Sequence, residues 1–321
     1  MKESPARPPY PADLGLERAD WQLLLTPRLG STLGRIVLLV ALWLGLAGAA
    51  QAAGPWWAKA ALWLAAGFFV NGLVQLAHET WHHNLFASVR ANVVCGHLLG
   101  FLVGVSYEPM RHDHLLHHKF NRTPRDPDAY NAGTPSLATV VRFYAVALFG
   151  LPLAIPFFNF LYPLTHMEAR QRRRHFRHLA AYAVAHAVLW TGLWAAGAVG
   201  LAVALWLVPL LAASPYNGLK SIADHHANIW QGDRYHTATT VRSSALVTYF
   251  WSGLNYHLDH HLFPRVPGPQ LPRLHALLRP HLEAQGAPVF ASYPKVWLAA
   301  LRAGPTYTEQ DHFLRAPGGG R

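Results

Sequence analysis

Four runs of apolar residues, almost free of charge, alternate with short polar or glycine-containing segments along the chain. The runs are Ile36–Ala53, Ala58–Ala77, Leu179–Ala196 and Leu201–Ser214. An α-helix rises about 1.5 Å per residue, so helices of these lengths cross most or all of a bilayer core about 30 Å thick. Few residues separate the two members of each pair. The pattern therefore predicts an all-α membrane protein whose four transmembrane helices form two hairpins.

Two further apolar segments are predicted not to cross the membrane. Ala91–Val105 is too short for a full span and is typical of a re-entrant or buried helix. Ser136–Leu164 is long enough, but Pro152, Pro156 and Pro163 interrupt it. Because proline removes a backbone donor and kinks a helix, we expect this segment to lie along the membrane as an interfacial or kinked helix.

The composition agrees with a membrane location, since 52% of the residues are hydrophobic and 13% are charged. The formal charge of +11 comes largely from arginines between apolar runs, above all in Arg170–Arg177. Arginines so placed mark loops that face the cytoplasm and its anionic lipids, and they argue against nucleic acid as a partner. We therefore expect an integral protein of the bacterial inner membrane, with this loop and the histidine clusters on the cytoplasmic side.

Cys95 is the only cysteine in the sequence. A single cysteine excludes an internal disulfide, a Cys-x-x-Cys zinc or iron centre and a fused rubredoxin-like module. Any electrons that the chain uses must therefore come from a separate protein.

The chemistry of the chain is concentrated in three histidine clusters. His257, His260 and His261 are spaced i, i+3 and i+4, so on a helix their imidazoles leave one face within a single turn. The same spacing recurs in an earlier cluster, made of His114, His117 and His118. So many clustered imidazoles have few structural uses, and they predict a site for a pair of first-row transition metal ions.

The third cluster, His78-Glu79-Thr80-Trp81-His82-His83, ends the second apolar run. His78 and His82 share a helix face, whereas His83 is turned about 100° further and could ligate only if the helix ends there. His225 follows the second predicted hairpin, where the chain returns to the same side of the membrane. The candidate metal ligands are therefore His78, His82, His83, His114, His117, His118, His225, His257, His260 and His261.

Three carboxylates lie near these clusters in the sequence. Asp259 is expected either to orient an imidazole of another segment or to form a surface ion pair. Asp126 and Asp128 lie in a loop rich in arginine and proline, where they are either acceptors of the same kind or turn formers. His112 is expected to face away from its cluster. Structural or interfacial roles are expected for the histidines without partners at metal spacing, which are His97, His166, His175, His178, His186 and His236.

Two other classes of protein share part of this pattern. His78-Glu79-x-x-His82 satisfies the zincin motif of a membrane zinc protease, with the glutamate as general base. Such an enzyme would leave six or more clustered histidines without a role. A metal-binding transport protein would be expected to carry polar residues midway through its spans, where the runs at 36–53 and 201–213 have none.

The clusters together resemble those of the membrane fatty acid desaturase and hydroxylase superfamily. The likeness rests on His-x-x-x-His, His-x-x-His-His and a last member within Asn255–Pro264, and it covers roughly residues 36 to 280. Asp128 resembles an acidic residue that recurs in the family, and His225 matches the place of a further family histidine. The resemblance implies that two iron ions are ligated by His78, His82, His114, His117, His118, His257, His260 and His261.

The resemblance also implies an activity. Two iron ions (Fe2+/Fe3+) with nitrogen ligands allow O2, as co-substrate, to be used for hydrogen abstraction from an unactivated C–H bond. Two abstractions give an alkene, and one abstraction with hydroxyl rebound gives an alcohol. The form of the last cluster resembles that of acyl desaturases more than that of carotenoid ketolases, so a fatty acyl desaturase is expected, and a hydroxylase or a carotenoid ketolase or hydroxylase of the same superfamily is the alternative. A separate ferredoxin, rubredoxin or cytochrome b5 type of protein is the expected electron donor, since no cytochrome b5 is fused to the chain.

Three parts of the chain are predicted from these patterns. Residues 1–33 form a cytoplasmic N-terminal arm, which is rich in proline and lacks the pattern of a cleaved signal peptide. Residues 34–285 form the membrane desaturase-like domain with its cytoplasmic di-iron cap. Residues 286–321 form a C-terminal tail.

Overall fold

A computed structural model describes residues 17–226 and 229–309, so the first part of the predicted arm and the last part of the predicted tail lie outside it. The α-helices in these ranges are α1 (Arg18–Leu24), α2 (Leu29–Ala52), α3 (Trp56–Trp81), α4 (Val89–Val103), α5 (Tyr107–Phe120), α6 (Leu137–Pro156), α7 (Tyr162–His166), α8 (Ala169–Ala195), α9 (Val199–Ala202), α10 (Val208–Asp224), α11 (Ala245–Phe250), α12 (His257–Leu262), α13 (Leu271–Ala284) and α14 (Tyr293–Ala303). The strands are β1 (Ala132–Gly133), β2 (Thr240–Val241), β3 (Val289–Phe290) and β4 (Thr306–Tyr307). β1 pairs in parallel with β4, and β2 with β3.

This architecture confirms the predicted all-α membrane class. Four helical stretches in the described residues are long and apolar enough to cross a membrane, and they are Arg18–Ala52, Trp56–Trp81, Leu137–His166 and Val199–Asp224. The second and fourth contain the predicted runs that begin at residues 58 and 201, and the first covers the run that begins at residue 36 up to Ala52, one residue before its predicted end.

The third stretch is the segment predicted to be an interfacial or kinked helix along the membrane, and it is kinked but also has the length and apolarity of a span. Its prolines are accommodated within a helix that is kinked but continuous. The backbone leaves helical geometry at Phe149, and a π-helical turn, Phe157–Leu161, follows Pro156 directly. Proline has no backbone N–H to donate, and a local kink or π-turn lets the helix continue past it. The segment therefore keeps the length of a span.

The predicted span Leu179–Ala196 belongs to α8 and is not among the four stretches. α8 begins with five arginines in its first nine residues and carries three histidines, so it is less apolar than the other long helices. The predicted hairpin is nevertheless present. Trp190 of α8 stacks on Trp206, which follows α9, with ring centroids 5.8 Å apart.

The short apolar segment before the second histidine cluster is a broken element. α4 and α5 meet at an angle of 108°, which fits either a broken span or a re-entrant loop. Gly104 ends α4 in the left-handed conformation, at φ 77°, where a glycine is tolerated without strain. Asn159 accepts a hydrogen bond from Ser106 N at 2.9 Å and donates one to Gly104 O at 2.8 Å. The bend is therefore satisfied by a side chain of the π-turn, and it carries α5 back toward the site.

The core of the membrane helices lies around α3, which packs against α2 and α10. Leu39, Leu73 and Ala213 are fully buried there. α10 also packs against α6, and Gly218 allows a close approach, because a Cβ at that position would lie 2.1 Å from Val146 O. This packing brings the C-terminal ends of α3 and α10 to the same end of the bundle.

A second core covers that end and is formed by α1, α12 and α13. Its buried side chains include Trp21, Leu258 and Leu274. We call this second core and the helices that form it the cap. Gly268 N donates to Glu79 Oε2 at 2.6 Å, and this bond joins the cap to the last turns of α3. The cap therefore holds α12 directly over the end of α3.

Candidate metal centre

The structure brings nine of the ten candidate histidines together in two adjacent groups. The first group is His78, His82, His114, His118 and His260, and the second is His117, His225, His257 and His261. Within each group the ring nitrogens that point inward all lie within 4.8 Å of one another. The groups draw on α3, α5, α12 and the residue that follows α10, which are far apart in the sequence.

Ring nitrogens converge in the first group at distances that fit a shared ion. Nε2 of His114 lies 2.8 Å from Nε2 of His82 and 3.0 Å from Nε2 of His118. Nε2 of His260 lies 3.1 Å from Nε2 of His118. Two nitrogens that each ligate one ion at about 2.0–2.1 Å, at right angles, lie about 3 Å apart.

The second group has the same geometry. Nε2 of His225 lies 3.1 Å from Nε2 of His117 and 3.3 Å from Nε2 of His257. Nε2 of His261 lies 3.0 Å from Nε2 of His257. A neutral imidazole has one N–H, so this many convergent nitrogens cannot all donate to one another, and the donor set fits a first-row transition metal ion.

Each of the two His-x-x-His-His helices contributes to both groups, and the group that receives two histidines from one helix receives one from the other. On α5 the i, i+4 pair His114 and His118 enters the first group, and the intervening His117 enters the second. On α12 the i, i+4 pair enters the second group, and His260 enters the first. Residues four apart share a face while the third histidine is rotated away, so one helix can ligate two neighbouring ions.

Groups outside the two clusters orient the rings through Nδ1. Nδ1 of His117 lies 2.9 Å from Asp126 Oδ1, and Nδ1 of His225 donates to Thr237 O at 3.1 Å. The side-chain amide of Asn121 lies 3.0 Å from Nδ1 of His261. The acceptors on Nδ1 of His117 and His225 fix the tautomer of these two rings with the lone pair on Nε2, the atom that faces the group.

Burial favours the neutral form of five imidazoles in the two groups, whereas the pKa of His117 is raised in spite of its burial because Asp126 lies beside it. Burial lowers the pKa of these five histidines well below the ordinary value, and neighbouring imidazoles lower it further. The five are His82, His225, His257, His260 and His261. Neutral rings offer a lone pair to a metal ion at neutral pH. Burial also raises the pKa of Asp128, in the loop after α5, to about 7.

His83 is the candidate that the structure does not bring into either group. α3 ends at Trp81, and His83 takes the left-handed conformation at φ 59°. Its side chain is partly exposed beyond the helix end. His226, next to His225, also lies outside both groups and has its ring near Phe290.

The carboxylates near the clusters divide by role. Asp126 has both of its expected roles. It faces His117, as an acceptor that orients a ring, and it accepts hydrogen bonds from the backbone N–H of Arg122 and Asp128, at 2.9 and 3.0 Å, as a turn former does. Asp259 is completely buried and binds Nδ1 of His275 at 3.1 Å. It thus orients an imidazole of another segment, but one outside the two groups.

Glu79 does not have the position of a protease general base. Its carboxylate is buried, points toward the cap and accepts the Gly268 N–H. It does not line the cavity that reaches His78. The geometry therefore disfavours a zinc protease that uses His78, Glu79 and His82.

A third group escaped the sequence patterns. His97, Glu108 and His178 have ligand atoms within 4.8 Å of one another, although each comes from a different helix. No spacing within one helix could have indicated the group, because the contact depends on how α4, α5 and α8 pack.

A cavity of about 210 Å³ opens beside the two histidine groups. Its wall includes histidines from both groups, among them His78, His114 and His257. The far wall is largely apolar and includes Val103, Ala154, Phe157 and Phe158. Such a cavity suits an apolar chain that lies with one segment against the histidines.

Comparison with known proteins agrees with this geometry. The profile of a family described as fatty acid desaturase matches residues 55–293 of the chain. An acyl-lipid (7-3)-desaturase from Rebecca salina is 49% identical to the chain over 61 residues, which are 19% of this chain and 13% of that relative. The chain therefore matches a small part of that relative's length.

Proposed function

Since the chain belongs to the fatty acid desaturase family, we propose that it is a membrane-bound oxidoreductase that introduces a double bond into a fatty acyl chain in an O2-dependent reaction. The observation that carries the proposal is the convergence of nine ring nitrogens in two adjacent groups beside an apolar cavity. The alternatives within the superfamily are a hydroxylase and a carotenoid ketolase or hydroxylase. They would use the same groups and differ in how the substrate lies.

The proposed cofactor is a pair of iron ions, one in each histidine group. The donor set fits, because the nitrogens of each group are spaced for a shared ion and face inward. Iron bound there would supply the reduction of O2 and the removal of hydrogen from an unactivated C–H bond. The electrons are proposed to come from a separate protein of the ferredoxin, rubredoxin or cytochrome b5 type.

The chain's own residues prepare the site in two ways. Asp126 and the Thr237 carbonyl hold the rings of His117 and His225, so that the Nε2 lone pairs stay aimed inward. The apolar side chains of the cavity, such as Val103 and Phe157, exclude water and place an acyl carbon against the histidines. Placement of that carbon decides between loss of a second hydrogen and hydroxylation.

The orientation in the membrane is also a proposal. The arginines at the start of α8 favour a cytoplasmic position for that end, and the bacterial inner membrane is the proposed location. Residues 34–285 are proposed as the catalytic domain, with residues 1–33 as an arm and residues 286–321 as a tail. The family match lies almost wholly inside the proposed domain.

The proposal is tested by expressing the intact chain, His260→Ala and His236→Ala in a bacterial host and comparing the double bonds of the host fatty acids. We expect new double bonds with the intact chain and with the control His236→Ala, whose ring lies outside both groups beside Asp233. We expect none with His260→Ala. New hydroxyl groups or oxidised carotenoids would identify one of the alternatives, and an unchanged lipid and pigment profile would refute all three.

Metal analysis of the purified protein provides the second test. Two irons per chain are expected, and His260→Ala should lose at least one of them. A single zinc that depends on His78 and His82, with no iron, would instead identify the zinc protease.

A further inference from the structure

The cluster of His97, Glu108 and His178, named here the α8 cluster, joins three helices away from both histidine groups. His97 comes from α4, Glu108 from the first turn of α5 and His178 from α8. Two imidazoles and one carboxylate form a donor set that binds zinc and other first-row divalent ions, with one position left for water. The sequence patterns assigned no chemistry to any of these residues.

The hydrogen bonds of Tyr182 fix the tautomer of His97. The Tyr182 hydroxyl donates its proton to the backbone carbonyl of His97 at 2.8 Å, and it lies 3.0 Å from Nδ1 of the same residue. A hydroxyl has one proton, so toward Nδ1 it accepts, and His97 carries a hydrogen on Nδ1. The lone pair of the neutral ring is then on Nε2. A histidine that ligates a metal ion is held in this way, through the nitrogen opposite the ion.

Nε2 of His97 faces an oxygen that also carries lone pairs. It lies 3.4 Å from Glu108 Oε1, so two acceptors face each other unless a cation lies between them. His178 Nδ1 makes a close contact with the same oxygen. The other carboxylate oxygen, Oε2, is buried and has no hydrogen-bond partner among the described residues. A metal ion in the cluster would satisfy the lone pair of His97 and the carboxylate together.

The ring geometry of the α8 cluster repeats that of the two histidine groups. The rings of His97 and His178 are 4.8 Å apart and nearly perpendicular, at 88°. In the first group, His82 and His114 are 4.8 Å apart at 81°. Arg174 Nε lies 3.7 Å from Glu108 Oε1, beyond hydrogen-bond distance, and its side chain is 59% exposed. The arginine is therefore free to move toward solvent when a second cation binds.

We propose that the α8 cluster binds one divalent transition metal ion, of which Zn2+ is the best fit, and that this ion fastens α8 to the bend between α4 and α5. His175 is the one buried residue of α8, so few apolar contacts hold this helix to the rest of the chain. The bend is also where Tyr107 lines the cavity, next to Glu108. A metal ion in the cluster would thus stabilise the cavity wall without contacting the two histidine groups.

The test measures zinc and iron in purified, detergent-solubilised full-length protein. Wild type, Glu108→Gln, His178→Gln and the control His186→Gln are incubated with ZnCl2, desalted and analysed by elemental mass spectrometry. His186 lies two turns further along α8, and its ring stacks on Phe101 with centroids 4.0 Å apart. We expect one zinc per chain in wild type and in the control, its loss in the other two variants, and the same iron content in all four.

Zinc-dependent stability separates a metal site from a cluster held by protons alone. Added zinc should raise the thermal midpoint of wild type and of the control, and should leave that of Glu108→Gln unchanged. Tyr182→Phe keeps all three ligands and removes the acceptor of the His97 Nδ1 hydrogen, so we expect it to bind zinc about 10–100-fold more weakly. This variant also covers the case in which Glu108→Gln does not fold.

Two results would overturn the proposal. One is wild-type protein that retains no zinc beyond that found in the Glu108→Gln and Tyr182→Phe variants. The other is a thermal midpoint that responds equally to zinc in all variants. The iron content of the same samples tests the two histidine groups separately, so a failure of the zinc site can be told from a failure of the proposed function.

Discussion

An imidazole ligates a metal ion through one nitrogen, and the group bound to its other nitrogen decides how firmly the ring is held. In the second histidine group that role falls to Asp126, whose Oδ1 lies 2.9 Å from Nδ1 of His117. The same carboxylate accepts two backbone N–H groups of its own loop, so it is itself held in place. A residue that contacts no metal ion can therefore control the affinity of the site.

We expect Asp126→Asn to lower the iron affinity of the second group by about 10–100-fold, because the amide is a weaker acceptor for the His117 N–H than the carboxylate. The measurement is iron per chain after dialysis against a chelator. Asp233→Asn is the matched control, since Asp233 pairs with a histidine at an exposed position outside both groups. Equal iron retention in the two variants would show that Asp126 is only a turn former.

The adjacent residues His82 and His83 provide a second test. His82→Ala should lose metal, because Nε2 of His82 lies 2.8 Å from Nε2 of His114 within the first group. His83→Ala should keep both ions and change stability by no more than about 0.5 kcal/mol, as expected for a partly exposed side chain outside such contacts. Metal content and thermal midpoint of the two variants check this. Loss of an ion from His83→Ala would add His83 to the ligand set.

At the residue scale, the sequence predicts those features that depend on spacing within one helix. The i, i+3, i+4 pattern places His257, His260 and His261 on one face whatever the rest of the fold does. It cannot assign each imidazole to one ion or the other, because that depends on which helix faces α12. The contact between His97 and His178 was beyond prediction for the same reason, since it joins residues 81 positions apart in packed helices.

At the scale of helices, the close approach of α6 and α10 determines the shape of the cavity. Residues of both helices line it, among them Ala154 and Gly218. Any side chain at residue 218 would meet the backbone of α6, since its Cβ would lie 2.1 Å from Val146 O and 2.6 Å from Ala147 O. Backbone atoms cannot move aside as a flexible side chain can, so the helices would have to separate.

We expect Gly218→Ala to destabilise the protein by about 1–3 kcal/mol, because the added methyl group forces α10 away from α6. Gly192→Ala is the control, because its Cβ would have nothing within 4 Å, and alanine favours a helix over glycine by about 1 kcal/mol. The thermal midpoint in detergent should fall for the first variant and stay equal or rise for the second. Equal midpoints would mean that the two helices are not in close contact.

Hydrophobic runs predicted α2 and α3 well, because length and apolarity alone determine whether a helix can cross a bilayer. For Leu137–His166 three prolines indicated an interfacial or kinked segment along the membrane, whereas the helix is kinked and also long and apolar enough to cross. The π-turn after Pro156, and the Asn159 side chain that binds the bend at Gly104, depend on contacts with other helices. Tolerance of proline inside a helix is therefore a property of the packed structure and not of the local sequence.

At the scale of the whole molecule, the cap, the long helices and the cavity form one arrangement around the histidines. α3 and α10 bring histidines to one end of the bundle, and the cap places α12 over them through the bond between Gly268 and Glu79. The cavity leads from these histidines along α6 and α4. The length of the acyl chain that fits in the cavity beyond the reacting carbon should then depend on the apolar wall that α6 provides.

The wall of α6 can be tested by narrowing the cavity from one side. Ala154 lines it, whereas Leu148, on the same helix, is 50% exposed and does not. We expect Ala154→Phe to occupy part of the cavity of about 210 Å³ and to reduce conversion of long acyl chains more than that of short ones. Leu148→Phe should leave the ratio of products unchanged, and fatty acid profiling of cells expressing each variant measures that ratio. An unaltered chain-length profile in Ala154→Phe, with iron content and stability equal to wild type, would mean that the acyl chain follows another path, because a side chain of this size cannot share the cavity with it.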